Sequence, residues 1–412
     1  MKKLFSLILC LLCLIAIYYA VLFYKQTIPL TQIQHFFTEK TEDKIEDKVK
    51  NSNTKNTYKV PLNKTREVFL NEHNKYFYLN ALTNDEEVFL YQEIVKVLDN
   101  KESSLIISSA FNSESIDKVV NYILGDHPEY FWLTGAYTIY NYDYKKEQKI
   151  NFVFSLSPEE IQARQAQIEA MTDALIASWP ADYSEYDKVK AVYEYIILNT
   201  SYGFSSSNNQ NIQSIFFDKS SVCAGYAKAT QYILQRAGIS CSTLTGKIPE
   251  NGQNHAWNLV LLNHEYLYLD TTWGDPTFAG NTTNVLSDND VNYDYLCITK
   301  EEILRTRTPD TLIDLPPSQS NSFDYYSLNN KYYNEFSPLL KENLMHEINS
   351  GIEYSAFKFS NLSAYQSTYS YLFQEGGAEE LAKNRAINNH SKTYGYTFYG
   401  DEQLYTIKIK WQ

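Results

Sequence analysis

Ser221-Val222-Cys223-Ala224-Gly225-Tyr226-Ala227 continues through Thr230, Ile233, Leu234 and Ala237, and Gly238 follows. Apolar positions three and four apart, closed by glycine, read as a helix with a cysteine in its first turn. A thiol there meets N–H groups that lack intrahelical partners and the positive end of the helix dipole, both of which favour thiolate. The same N–H groups can receive a developing oxyanion. Position alone leaves the bland alternative open, since an unpaired cysteine is usually a small buried hydrophobe.

Two residues further along change the balance. His255 opens the run Ala256–Leu262, Asp270 closes Tyr266–Leu269, and Asn263-His264 lies between them as a turn. This is the pattern of an antiparallel hairpin. A turn centred on Asn263-His264 sets His255 opposite Thr272 and Trp257 opposite Asp270. His255 and Asp270 then share one face as diagonal neighbours, with β-carbons about 7 Å apart. A one-residue slip would place them on opposite faces. Together the three residues divide the labour of acyl transfer. Cys223 attacks, His255 moves the proton, and Asp270 fixes and stabilises the ring.

Three separated motifs, in order, resemble the transglutaminase-like superfamily, and more narrowly its bacterial surface-exposed members. They are the Ser221–Ala227 run with Ala237-Gly238-Ile239, then Asn254-His255-Ala256-Trp257-Asn258, then Leu269-Asp270-Thr271-Thr272-Trp273-Gly274-Asp275-Pro276. The resemblance spans about residues 185–300, and Asp126-His127-Pro128-Glu129-Tyr130-Phe131-Trp132 is similar to the leader region of such proteins. It implies a papain-like α+β core, a cysteine-bearing helix packed on an antiparallel sheet, with a catalytic triad of Cys223, His255 and Asp270. It implies no cofactor, and no acidic loop of calcium-site spacing is present. The family's second oxyanion donor is carried onto Tyr202. Trp257, Asn258 and Trp273 flank the site, the two tryptophans read as packing that shields it from water. Asp275 before Pro276 and His127 before Pro128 read as turn residues, and His264 as an exposed hairpin tip. Cys223, His255 and Asp270 could also ligate zinc, but a fourth ligand at familiar spacing is missing, so no metal is expected.

The rest of the chain frames this segment. Among 412 residues, 36 Lys plus Arg face 49 Asp plus Glu, a net charge of −13, which argues against nucleic acid as the partner. Apolar residues make up 44% and aromatic residues 15%, enough to build sizeable cores. Lys2 and Lys3 precede an uncharged apolar run from Leu4 to Phe23, long enough to rise about 30 Å as a helix and cross a bilayer. Residues 1–25 are therefore expected to form a transmembrane signal-anchor with the folded part extracytoplasmic. Secretion after signal cleavage is the alternative. Residues 26–64 read as a polar linker.

An N-terminal α+β domain is expected over 65–155. It takes a capping box at Thr83 and Glu86, a strand at Leu105–Ile107 and a helix through Ile116–Ile123 stopped by Gly125. The catalytic domain is expected over 156–300, with helix starts at Ser157-Pro158-Glu159-Glu160 and at Ser184 with Asp187. A C-terminal α+β domain follows over 301–412 and ends in a hairpin turning at Gly400-Asp401. Cys241 and Cys297 are either buried thiols or one disulfide.

The expected activity is that of a membrane-anchored thiol enzyme working at amide or peptide bonds of a protein or peptide substrate. Hydrolysis and transfer to an amine stand nearly even. The rival reading is a surface binding or assembly module that keeps the fold without turnover.

Overall fold

The computed structural model describes residues 75–412 except 109–110, 143, 145–146, 277–290, 311–313 and 319. The expected anchor and linker lie outside the described residues. Among those described, no helix is long and apolar enough to cross a membrane.

The first unit holds a short helix α1 (Phe77–Asn80), α2 (Asp85–Asp99), β1 (Ser104–Ile107), α3 (Ser113–Asp126), β2 (Leu133–Tyr142) and β3 (Glu147–Phe154). Its strands form an antiparallel sheet in the order β1-β3-β2. The cap of α2 is Asn84, whose side chain accepts the Glu86 N–H at 2.8 Å, and not Thr83. Gly125 does not stop α3 but lies inside it. A β-carbon there would sit 2.5 Å from the Tyr78 ring, so the glycine is an approach surface. That approach lets the Tyr78 hydroxyl donate to the Thr243 carbonyl at 2.8 Å, tying this unit to the next.

The second unit begins with α4 (Pro158–Ala177) and α5 (Glu185–Asn199), opened by complete capping boxes at Ser157/Glu160 and Ser184/Asp187. A two-residue parallel pair, β4 (Ser201–Tyr202) and β5 (Ser220–Ser221), leads into α6 (Cys223–Arg236). Gly238, at φ +84°, follows the end of α6. Behind α6 stands an antiparallel sheet of β6 (Cys241–Lys247), β7 (Asn254–Leu262), β8 (Glu265–Leu269) and β9 (Thr308–Pro309), ordered β8-β7-β6-β9. Asn263 and His264 both take positive φ, as a type I′ turn demands, and fix the β7–β8 register from Leu262↔Glu265 to Asn258↔Leu269. Pairing ends there. Asp270 leaves the ladder to cap a one-turn helix, α7 (Thr271–Gly274), so the expected pairings of His255 with Thr272 and Trp257 with Asp270 do not form.

Helix α8 (Lys300–Thr306) leads directly to β9, so the sheet draws on chain beyond residue 300. One apolar cluster runs from Tyr76 to Leu404 and takes in both the first unit and this one.

The third unit has its own apolar cluster, built from residues such as Leu344, Phe357, Phe359, Ile407, Ile409 and Trp411. It comprises α9 (Tyr325–Leu328), β10 (Tyr332–Tyr333), α10 (Pro338–Asn349), β11 (Tyr354–Phe359), α11 (Leu362–Tyr369), α12 (Gly377–Asn388), β12 (Tyr396–Asp401) and β13 (Thr406–Trp411). The sheet order is β10-β11-β13-β12. Gly400 and Asp401 are strand residues, and the final hairpin turns after them, since Asp401 pairs with Thr406. One sheet face carries the cluster. The other presents Lys358 and Lys408, both buried, to Glu302 and Asp294 of the second unit and to Asp324 at the start of α9. Lys358 Nζ lies 2.7 Å from Glu302 and 2.7 Å from Asp324, and Lys408 Nζ lies 2.5 Å from Asp294. The two larger cores thus meet across neutralised buried charge.

Candidate active site

Cys223 is the first residue of α6, behind Val222 in extended conformation. Val222 supplies no side-chain cap, so the N–H groups of the opening turn have no side-chain acceptor. Ser221 explains how this start is held. Its buried hydroxyl lies 2.7 Å from Ser214 Oγ and donates to the Asn209 carbonyl at 3.0 Å. A β-carbon at Gly225 would meet Ser221 Oγ at 2.0 Å and Ser214 Oγ at 2.7 Å, so only glycine lets this loop press on the helix start. The thiol itself is half-buried and packs against Ala224, Ala227 and Ala256.

His255 is the second residue of β7 and is buried. Its Nε2 lies 2.6 Å from Asp270 Oδ2, and the Cys223 thiol is a near neighbour of the ring that favours its charged form. Trp257 stacks nearly parallel to the imidazole at 6.2 Å, and Trp273 stands edge-on at 6.5 Å. Asn258, also buried, donates to the Ala227 carbonyl at 2.9 Å and ties β7 to α6 one turn past the cysteine.

Asp270 is fully buried and saturated with donors. Oδ1 accepts the Thr272 and Trp273 N–H groups, each at 3.1 Å, as the cap of α7. Oδ2 accepts His255 and, in addition, Arg307 Nε at 3.1 Å and Nη2 at 2.6 Å. Arg307 is itself buried, with Trp273 at 4.5 Å and Tyr295 at 5.1 Å from its guanidinium carbon. The sequence reading missed this arginine. It stands alone between Thr306 and Thr308, in no motif and with no spacing relation to the other three.

The electrostatics follow from this packing. Burial alone would depress the His255 imidazole. The Asp270 charge and hydrogen bond, helped by the neighbouring Cys223, overcome that and push it up to about 9. Burial alone would raise Asp270, but His255 and Arg307 hold it down at about 2. The imidazolium therefore adds stability that is fully present below its ordinary value of 6.5 and is lost as pH rises through about 9. The carboxylate's share is present above 3.8 and is lost as pH falls towards about 2. Urea unfolding is expected to show a loss on the order of 3 kcal/mol across the alkaline window, and His255→Gln should remove that slope. An unchanged slope in the variant would assign the loss elsewhere.

Tyr202, on β4, is half-buried, and its hydroxyl is pushed upward first by burial and then by the nearby Cys223 and Asp270. Asp275 is buried and accepts the Tyr226 hydroxyl at 2.8 Å, so it braces α6 and does more than form a turn. His127, expected in a turn, is buried at the end of α3 with Nδ1 2.7 Å from Glu129. His264 is exposed at the hairpin tip. Cys241 and Cys297 are free buried thiols, both pushed up by burial. Among the described residues no cluster of three or more His, Cys, Asp or Glu is gathered as a metal site. A thiol beside an imidazole that is hydrogen-bonded to a carboxylate can form and resolve an acyl-sulfur bond.

Residues 172–271 match the family model described as the transglutaminase-like superfamily. That span contains Cys223, His255 and Asp270 and stops short of Arg307. Kyphoscoliosis peptidase of Homo sapiens is 24% identical over 131 residues, which is 28% of this chain and 20% of that protein. The chain thus spans about a fifth of the length of this curated relative. Among solved structures, a TGase crystal structure gives a TM-score of 0.26 at 16% identity, covering 44% of this chain and 52% of that one. The periplasmic domain of TgpA from Pseudomonas aeruginosa, bound to ethylmercury, gives 0.21 at 16% identity, covering 31% and 55%.

Proposed function

We propose that this transglutaminase-like chain is a thiol enzyme acting at amide or peptide bonds of a protein or peptide substrate. The observation that supports the reading is the 2.6 Å His255–Asp270 hydrogen bond with the half-buried Cys223 thiol beside the same ring. Cys223 Sγ attacks the acyl carbon with its proton already held on His255, and the imidazolium then delivers that proton to the leaving amine. Asp270 holds the ring and stabilises its cationic form. The opening N–H groups of α6, with Tyr202 as a second donor, receive the oxyanion. Attack by water on the thioacyl group releases an acid and the free thiol, and attack by an amine releases a new amide. The peptidase name of the curated relative supports hydrolysis as the first outcome to seek. The reading includes an N-terminal anchor that places the folded part outside the cytoplasm.

A silent binding module is the less economical account. Keeping Asp270 and Arg307 both charged and buried costs free energy that an apolar pair would avoid. Mass spectrometry of surface proteins incubated with the protein and a labelled amine tests the reading. Tagged glutamines indicate transfer, new termini indicate proteolysis, and glutamine-to-glutamate conversion indicates deamidation. If none of these appears, the enzyme reading fails and the module stands.

A further inference from the structure

We propose that Arg307 is a positioning residue of this site, the group that holds the Asp270 carboxylate ionised and turned toward His255. The proposal rests on the thiol-enzyme reading above. Oδ1 is committed to two backbone N–H groups of α7, and Oδ2 carries both His255 and the two-point grip of Arg307. Rotation of the carboxylate would break donors at both oxygens at once.

The guanidinium is equally confined. Nη1 donates to the Thr306 carbonyl at 2.8 Å, and Trp273 and Tyr295 lie against it. Among the described residues, the carboxylate within ion-pair distance of Arg307 is Asp270. The backbone beside it is fixed as well, because Thr308 pairs with Lys247 at the edge of the sheet that carries His255. A planar fork suits this task where a point charge does not. Trp273 contacts both the His255 ring and the guanidinium, so the same side chain packs both cations that face Asp270.

The groups that face Asp270 are His255 from β7, Tyr193 from α5, Tyr202 from β4, Tyr295 and Arg307, with Cys223 beyond the imidazole. The tyrosines are neutral at ordinary pH because burial pushes each of them up. Once Arg307 is removed, only His255 and the two backbone N–H groups at Oδ1 oppose the burial that favours the protonated acid. Protonated Asp270 no longer supports the imidazolium, so alkylation at Cys223 should reach its full rate only at higher pH.

The test is the rate of iodoacetamide alkylation at Cys223, followed by peptide mass spectrometry of the full chain across pH, for wild type, Arg307→Gln and Arg307→Lys. The acid limb is expected to move up by about one pH unit or more in the Gln variant, and by less in the Lys variant, which keeps the charge but not the fork. Where a substrate is in hand, kcat should fall about tenfold or more with KM little changed. A folded Gln variant with the wild-type limb overturns the proposal. Should that variant fail to fold, a wild-type limb and kcat in Arg307→Lys overturn it instead. Alkylation needs no substrate, so a wild type without turnover sinks the enzyme reading while this profile still judges Arg307.

Discussion

Cys223→Ala is expected to abolish turnover, with a loss on the order of 10⁶-fold where a nucleophile is removed from a working triad. It should also erase alkylation at that position near neutral pH. The structure makes the second outcome specific. Cys241 and Cys297 are buried, and burial pushes both thiols well away from the thiolate, whereas Cys223 is half-exposed beside the His255 imidazole. Peptide mapping after brief iodoacetamide treatment should therefore find label on residue 223 and none on 241 or 297 until the protein is unfolded. The variant should fold normally, because the sulfur is half-exposed and its apolar packing is against small alanine side chains. Full turnover in Cys223→Ala would end the mechanism outright.

Lys358→Met is expected to cost about 3–5 kcal/mol of stability, the usual penalty when one partner of a buried ion pair is lost. Lys358 is completely buried between Glu302 on α8 and Asp324 at the start of α9. Burial already pushes Asp324 up to about 6 with the lysine in place. Without it, two carboxylates are stranded in an interior from which water is excluded. Urea denaturation of wild type and variant at neutral pH reads the loss directly. Part of it should return as pH is lowered, since a protonated acid is cheaper to bury than a charged one. A variant as stable as wild type at neutral pH would show that this contact does not hold the third unit to the second.

What could be read beforehand divides along a physical line. Local signals survived: the serine caps at Ser157 and Ser184, the helix beginning at Cys223, and the Asn263-His264 turn each depend on residues within one or two turns. His255 and Asp270 were paired for a reason that proved only half right. The register was correct up to Leu269, but Asp270 reaches the imidazole as a helix cap and not as a strand residue. Asn84 displaced Thr83 because neighbouring capping residues compete for the same N–H groups, and the sequence pattern does not rank them. Arg307, Lys358 and Lys408 were invisible for a deeper reason. A buried cation is defined by acids that reach it from elsewhere in the chain, and its own neighbours look like any surface stretch.

The position of Arg307 in the chain has a temporal side. A polypeptide emerges from the ribosome from its N-terminus, so the nucleophile, the base and the acid all leave the exit tunnel before the guanidinium that grips the acid. A half-made copy therefore carries Cys223, His255 and Asp270 with an unanchored carboxylate, and full assembly waits on a stretch translated afterwards.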